Sequence, residues 1–135
     1  MLEGGEWHKV ESASLAAIEQ LKAVAPVPLP QSYLSFLLFS NGGEGPLPVQ
    51  PFWLCLYPAE EVMQIEQSGT FREFFPKLFV IGGNGGGEAV ALDLRGTEPY
   101  PLVAFDMIDI NLSESVQTIA ASFDAALELI GHDEQ

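Results

Sequence analysis

One short stretch, Leu29 to Gly43, constrains the fold more than any other part of the chain. Its sequence is LPQSYLSFLLFSNGG. A proline is tolerated at the start of a helix because its missing N–H would have no intrahelical partner there. The apolar residues that follow cover most of a 3.6-residue spiral, which predicts a short and nearly buried helix. Asn41 and the glycines after it can adopt the left-handed conformation that ends a helix. We therefore expect other elements to pack around this helix.

The segments on either side of this stretch predict further elements. Ser12 or Ser14 can cap a helix that runs to about Ala25. Residues 44–51 contain three prolines, which predicts a surface loop rather than a central strand. Residues 52–57 alternate as a strand does, and both faces of that strand are apolar. One face carries Phe52, Leu54 and Leu56, and the other carries Trp53, Cys55 and Tyr57. Pro58 then opens a helix that ends at Ser68-Gly69.

The second half of the chain predicts a β-meander and a closing helix. Strands at 78–81 and 88–94 flank the turn Gly82–Gly87, whose Asn-Gly dipeptide is a strong hairpin signal. A third strand covers 102–105. Apolar residues recur with helical spacing from Val116 to Ile130, which predicts an amphipathic helix.

Together these elements predict an α+β fold in a single domain that spans residues 1–135. N-terminal helices precede a mainly antiparallel twisted sheet with a central hairpin, and the C-terminal amphipathic helix packs on the sheet. We expect residues 1–11 to be a loose lead-in and residues 131–135 to be a tail.

Three motifs in this order resemble those of the SUKH superfamily. They are the Leu-Pro to Asn-Gly stretch, the glycine-rich turn before a strand with an acidic residue near its end, and Ser122-Phe123 near the C-terminus. The resemblance spans roughly Leu15 to Ile130. The superfamily comprises many bacterial immunity proteins of toxin systems and a yeast regulator of cell-wall synthesis. The resemblance implies a non-catalytic protein that binds and blocks a toxin, often a nuclease or deaminase.

The charge balance points to the same class of partner. The net charge is −14 because 19 Asp and Glu face only 5 Lys and Arg, while all charged residues reach 18% against a typical ~25%. Phosphate contacts need Lys and Arg, so binding to nucleic acid or to anionic membranes is disfavoured. A basic protein partner would be attracted over long range. The same charge also serves solubility.

The sequence predicts a cytoplasmic protein. No apolar run approaches the ~18 residues that a membrane span requires. Glu3 and Glu6 stand where a signal peptide would carry positive charge. The single cysteine, Cys55, cannot form an internal disulfide, which fits a reducing compartment.

Nucleophilic, metal and cofactor chemistry find little support in the sequence. The turn Gly82–Gly87 could hold an anion with its backbone N–H groups. However, Glu88 replaces the last glycine of a dinucleotide fingerprint, and a strand follows instead of a helix. Cys55 as a nucleophile would need a base, and the two histidines, His8 and His132, lie near the chain ends. The same scarcity of His and Cys disfavours zinc, so we expect no cofactor and no metal.

Paired carboxylates are the remaining signal for catalysis. Glu60 with Glu61, or Asp106 with Asp109, could perform acid/base chemistry. Adjacent acids in the first turn of a helix more commonly complement the helix dipole. Asp106, Asp109 and Asn111 have oxygen ligands suited to calcium but lack the glycine and the closing Glu of an EF-hand loop. We therefore expect that the protein is not an enzyme.

The predicted partner-binding site combines acidic residues near strand ends and loops with one aromatic residue. An aromatic side chain ringed by carboxylates is a good contact for a basic segment. The candidate residues are Glu44, Trp53, Glu60, Glu61, Glu88, Asp93, Asp106 and Asp109. An alternative interpretation is a regulatory domain that binds a small ligand or peptide in an aromatic groove around Trp53.

Overall fold

The computed structural model describes residues 5–107 and 116–132. Within them, six strands form one antiparallel sheet in the order β1-β2-β3-β4-β5-β6. The strands are β1 Gly43–Pro46, β2 Trp53–Leu56, β3 Leu78–Gly83, β4 Glu88–Asp93, β5 Leu102–Asp106 and β6 Gln117–Ala120. The helices are α1 Leu15–Val24, α2 Gln31–Phe39, α3 Ala59–Ser68, α4 Thr70–Phe74 and α5 Phe123–Ala126. The α+β class, the central hairpin and the helix at the C-terminal end are confirmed. None of the helices in these two ranges is both long and apolar enough to cross a bilayer.

Helix α2 lies at the centre of the main core, as its sequence predicts. Tyr33, Phe36 and Leu37 are completely buried. The ring of Phe36 makes an edge contact with Trp7 at a centroid distance of 5.7 Å and another with Phe123 at 5.9 Å. Edge-to-face geometry is favourable for aromatic pairs. Helix α2 therefore joins the two ends of the chain through one aromatic cluster.

The sheet is covered on both faces over its central strands. On one face, alternate residues of β2 to β5 pack under α1, α2, α3 and α5 and form the main core. On the other face, α4 and the residue after it cover a smaller core, in which the rings of Phe75 and Phe105 lie 4.7 Å apart. This second core is formed by Phe75, Leu78, Val80, Ala89, Ala91, Val103 and Phe105. Residues on both sides of β3, β4 and β5 are therefore apolar.

Ser40 fixes the turn that follows α2. It is completely buried, and its N–H donates to the carbonyl of Phe36 at 2.7 Å. Its hydroxyl donates to the carbonyl of Gly42 at 2.6 Å and accepts from the N–H of Val10 at 3.1 Å. A buried hydroxyl with both donor and acceptor functions satisfied carries no desolvation penalty for an unpaired group.

Asn41 connects the same turn to two distant segments. Its N–H donates to the carbonyl of Glu11 at 2.8 Å. Its side-chain Oδ1 accepts from the N–H of Ala59 at 2.8 Å, and its Nδ2 donates to Oε1 of Glu60 at 2.9 Å. Pro58, the residue before α3, makes no side-chain capping bond. Asn41 therefore caps α3 from outside the helix and satisfies one of its free N–H groups.

The N-terminal segment differs from the predicted loose lead-in. The N–H of His8 donates to the carbonyl of Glu44 at 2.8 Å, and the two residues form an isolated antiparallel bridge. Trp7 packs against the main core beside Phe36. Residues 6–8 therefore lie along the outer edge of β1.

Strand β1 replaces part of the loop predicted at residues 44–51. It is an edge strand, where the missing N–H of Pro46 costs no ladder bond. The carbonyl of Pro46 accepts from the N–H of Gly131 at 2.8 Å, and the carbonyl of Gly131 accepts from the N–H of Glu6 at 2.6 Å. Both described ends of the chain thus meet at this edge.

The predicted helix from Val116 to Ile130 is wrong in its first part. Residues Gln117–Ala120 form β6 against β5, and α5 covers only Phe123–Ala126, so the helix also ends four residues before Ile130. Ser122 caps α5 by accepting from the N–H of Ala125 at 3.0 Å. Ile119, Ala120, Phe123 and Ile130 are nonetheless buried. A strand followed by a short helix buries these apolar residues as effectively as one long helix would.

The capping role of Asn41 predicts a defined loss of stability. We expect Asn41→Ala to lower the free energy of unfolding by about 1 kcal/mol, because Ala59 loses its acceptor. Asn41→Asp keeps an acceptor but loses the donor to Glu60, so it should fall between wild type and Asn41→Ala. Urea denaturation followed by circular dichroism measures both. Gln67→Ala, on the exposed side of α3, is the control, and equal stabilities of all four proteins would contradict this role.

The close approach of the N-terminal segment to β1 predicts a second effect. A Cβ at Gly45 would meet the carbonyl oxygen of Glu6 and would lie 2.7 Å from the Trp7 ring. We expect Gly45→Ala to destabilise the fold by about 1–3 kcal/mol through this overlap. Gly87→Ala, where a Cβ meets nothing within 4 Å, should change the unfolding free energy by less than about 0.5 kcal/mol. Similar urea midpoints for the two variants would show that residues 6–8 do not pack there.

Candidate functional site

One row of residues crosses the β1 side of the sheet on the face opposite the main core. Glu44 of β1 lies directly opposite Cys55 of β2, and Cys55 lies opposite Gly83 of β3. The Cys55 thiol donates to Oε2 of Glu44 at 3.6 Å. The bridge between His8 and Glu44 extends this row by one position toward the N-terminus. Trp53 is two residues from Cys55 and shares its face.

The glycine-rich turn lies beside Trp53. A Cβ at Gly85 would be 3.6 Å from Sγ of Cys55 and 3.9 Å from Cδ1 of Trp53. Oδ1 of Asn84 accepts from the N–H of Gly86 at 2.8 Å and from that of Glu88 at 3.2 Å. These hydrogen bonds give the turn a defined shape, in agreement with the predicted hairpin. Because Gly85 has no side chain, only its backbone lies beside Cys55 and Trp53.

Burial, together with the carboxylates of Glu44 and Glu61, raises the pKa values of two neighbouring groups on this face. Burial first, and then the negative charge of Glu44, raise the pKa of the Cys55 thiol. Burial first, and then the charge of Glu61, raise the pKa of the Tyr57 phenol. Cys55, Tyr57 and Trp53 are all half-buried, while Glu44 and Glu61 are exposed. We call this set the acidic–aromatic surface: Glu44, Trp53, Cys55, Tyr57 and Glu61.

A further aromatic side chain lies next in the chain to Trp53 and was not predicted to be exposed. Phe52 was expected to share an apolar strand face with Leu54 and Leu56, but it is 43% exposed and has a φ of 68°. Its N–H donates to the carbonyl of Val49 at 2.7 Å, so the chain turns tightly just before β2. The left-handed conformation interrupts the alternation of the strand, and Val49 is exposed as well. Alternation of apolar residues alone gives no signal for this exposure.

The remaining predicted residues are dispersed. Glu60 turns to Asn41, and this hydrogen bond lowers the pKa of its carboxyl group. Asp93 pairs with Arg95 at 2.8 Å, which lowers the pKa of Asp93. Glu88 and Asp106 lie directly opposite each other on β4 and β5, and Asp109 falls outside the described residues. The structure therefore places Glu44, Trp53 and Glu61 on one surface and Glu88 with Asp106 as a separate cross-strand pair, whereas Glu60 and Asp93 each serve local hydrogen bonds.

The sequence matches the SMI1 / KNR4 family (SUKH-1) over residues 12–129. The chain belongs to this family. The match includes α2, its Asn-Gly turn and the Ser122-Phe123 cap of α5, which carry the resemblance in the sequence. The family includes immunity proteins and Smi1/Knr4 members, which points to protein–protein interaction in general. A search of curated proteins finds no significant match.

Three of the five basic side chains of this SUKH-1 domain contact other groups. Nζ of Lys9 lies 4.9 Å from the ring centroid of Phe39. Lys22 is 3.6 Å from Glu19, and Arg95 pairs with Asp93. Each of these three cations contacts a residue outside the acidic–aromatic surface.

The surroundings of Cys55 in this SUKH-1 domain favour the protonated thiol by raising its pKa. Although His8 lies near the end of the chain, the register brings it into the same row as Cys55. Glu44 stands between them, however, and its charge favours the protonated thiol over the thiolate. Within residues 5–107 and 116–132, no group of three or more His, Cys, Asp or Glu side chains is placed to hold a metal ion.

The contact between Glu44 and Cys55 predicts a change in thiol reactivity. We expect Glu44→Gln to lower the pKa of Cys55, because the negative charge that favours its protonated form is removed. The midpoint of the pH–rate profile for iodoacetamide alkylation should therefore move to lower pH. Glu128→Gln removes an exposed charge near the C-terminus and should leave the midpoint in place. A midpoint that stays the same in Glu44→Gln would contradict the proximity of the two side chains.

Proposed function

We propose that this domain is a non-catalytic immunity protein of the cytoplasm that binds and neutralises a cognate toxin domain. The acidic–aromatic surface is the proposed contact, and a basic toxin, such as a nuclease with a cationic substrate cleft, is the proposed partner. Membership of the SUKH-1 family supports protein–protein interaction, and the surface chemistry supports the identity of the contact and the charge of the partner.

The observation that carries this proposal is the combination of charge and aromatic area on one sheet face. Trp53 and Tyr57 provide large, rigid contact area of the kind that concentrates binding energy in interfaces. Glu44 and Glu61 flank them and raise the pKa values of neighbouring groups, so their negative charges act on this surface. An arginine or lysine of a partner could pair with a carboxylate and lie on an aromatic ring at the same time.

The overall charge of the chain adds long-range attraction. A net charge of −14 steers a basic partner toward the domain and raises its association rate. Attraction of this kind weakens as salt is added, because exposed charges are screened over about 8–10 Å at physiological ionic strength. A small-ligand or peptide site built on apolar contacts around Trp53, which is the alternative function, would not show this dependence.

The proposal predicts salt-dependent binding to a basic partner. Tagged protein is used to capture partners from lysate of the source organism at low and high salt, and a stoichiometric partner is then purified for stopped-flow kinetics. We expect Glu44→Gln/Glu61→Gln to slow association by about tenfold at low salt and to match wild type at high salt. Trp53→Ala should raise Kd by at least about tenfold, mainly through faster dissociation.

A charge-matched control separates the surface from net charge. Glu11→Gln/Glu128→Gln also removes two exposed carboxylates, which lie outside the acidic–aromatic surface. This variant should associate more slowly than wild type by a clearly smaller factor than Glu44→Gln/Glu61→Gln. Equal effects of the two double variants would show that only net charge matters. A partner whose capture is indifferent to salt would favour the alternative function.

A further inference from the structure

A cleft of about 650 Å³ lies at the N-terminal ends of α2 and α5, away from the acidic–aromatic surface. Three segments far apart in the sequence meet there, namely residues 29–35, 98–100 and 122–124. The Leu-Pro and Ser-Phe motifs that carry the family resemblance both line it. The order of these motifs along the sequence did not predict that they meet in space.

The walls of this α2–α5 cleft are largely apolar and fixed to the core. Phe123 is buried, and its ring packs on Tyr33 at 5.3 Å and on Phe36 at 5.9 Å. Tyr100 is half-buried, and Leu29, Pro30 and Pro99 complete the apolar lining. A ligand would therefore meet preformed walls, which reduces the entropy lost on binding.

The charged side chains of the cleft favour a positively charged group. Its two ionisable carboxylates, Glu98 and Asp124, are both exposed, and its described lining contains no Lys, Arg or His side chain. Ser32, Ser35 and Ser122 add hydroxyl groups that can accept hydrogen bonds. A cationic group beside the half-buried ring of Tyr100 and the two carboxylates would be held by both cation–π attraction and charge-assisted hydrogen bonds.

We propose that the α2–α5 cleft binds a peptide segment that presents an arginine or lysine side chain to Glu98 and Asp124. The start of α2 supplies matching groups for a peptide backbone. Tyr33 and Leu34 both donate their N–H to the carbonyl of Pro30. The N–H groups of Gln31 and Ser32 have no acceptor within the helix and can donate to peptide carbonyls. This site is separate from the proposed toxin contact and stands even if the acidic–aromatic surface binds no toxin.

The test uses defined peptides with the full-length protein. ¹⁵N-labelled protein is titrated at low salt with Ac-GGRRGG-NH₂ and, in parallel, with the neutral Ac-GGQQGG-NH₂. We expect saturable chemical-shift changes at Ser32, Ser35 and Ser122 with the arginine peptide, and affinity for the neutral peptide at least about tenfold weaker. Glu98→Gln/Asp124→Asn should weaken binding of the arginine peptide by at least about tenfold. Equal binding of the two peptides would overturn the proposal.

Two matched variants identify where the peptide binds. Glu11→Gln/Glu128→Gln and Glu44→Gln/Glu61→Gln each remove the same amount of charge as Glu98→Gln/Asp124→Asn. We expect Glu11→Gln/Glu128→Gln to retain most of the affinity for the arginine peptide, while Glu44→Gln/Glu61→Gln reports any additional binding at the acidic–aromatic surface. If only Glu44→Gln/Glu61→Gln loses binding, the cleft proposal fails while the acidic–aromatic surface gains support. Full binding by Glu98→Gln/Asp124→Asn would also overturn the cleft proposal, and thermal melting verifies that each variant is folded.

Discussion

The hydrogen bonds of Ser40 and Asn41 are the constraint on which much of the remaining structure depends. Two consecutive residues at the end of α2 connect the N-terminal segment, the start of β1 and the first turn of α3. Gly42 follows with a φ of 97°, and a Cβ there would lie 2.5 Å from the carbonyl oxygen of Leu56. Backbone from β2 therefore packs directly against the turn. Because buried polar groups must be paired, these contacts leave few alternative ways of arranging α2, α3 and the first two strands.

The two faces of the sheet are covered to different extents. Helices cover one face completely enough that Leu54, Val90 and Leu92 are buried in the main core. On the other face, the short helix α4 and Phe75 protect only the side near Phe105. The β1 side of that face retains half-buried aromatic groups and exposed carboxylates. A small sheet with one incompletely covered face can thus keep a stable core and still offer rigid side chains to a partner.

Local patterns in the sequence predicted the elements whose signals are local. The cap of α1 at Ser14, the end of α3 at Gly69, the buried character of α2 and the β3–β4 hairpin follow from residues adjacent to them. The strand β6 was missed because Ile119, Ala120 and Phe123 satisfy helical periodicity and also fit a strand that runs into a helix. The role of Glu60 was missed because its partner, Asn41, is 19 positions away. The α2–α5 cleft needs three distant segments, so no single pattern could reveal it.

The meeting of Glu6, Pro46 and Gly131 has a consequence for how the domain forms during synthesis. The edge of the sheet is completed by hydrogen bonds that involve Gly131, which leaves the ribosome more than eighty residues after Pro46. Nascent chains that lack the C-terminal region therefore carry an unfinished edge strand, and unpaired edges are the usual starting points for aggregation. The hydrogen bonds of Gly131 to Glu6 and Pro46 have high sequence separation, and contacts of this kind form more slowly than local ones.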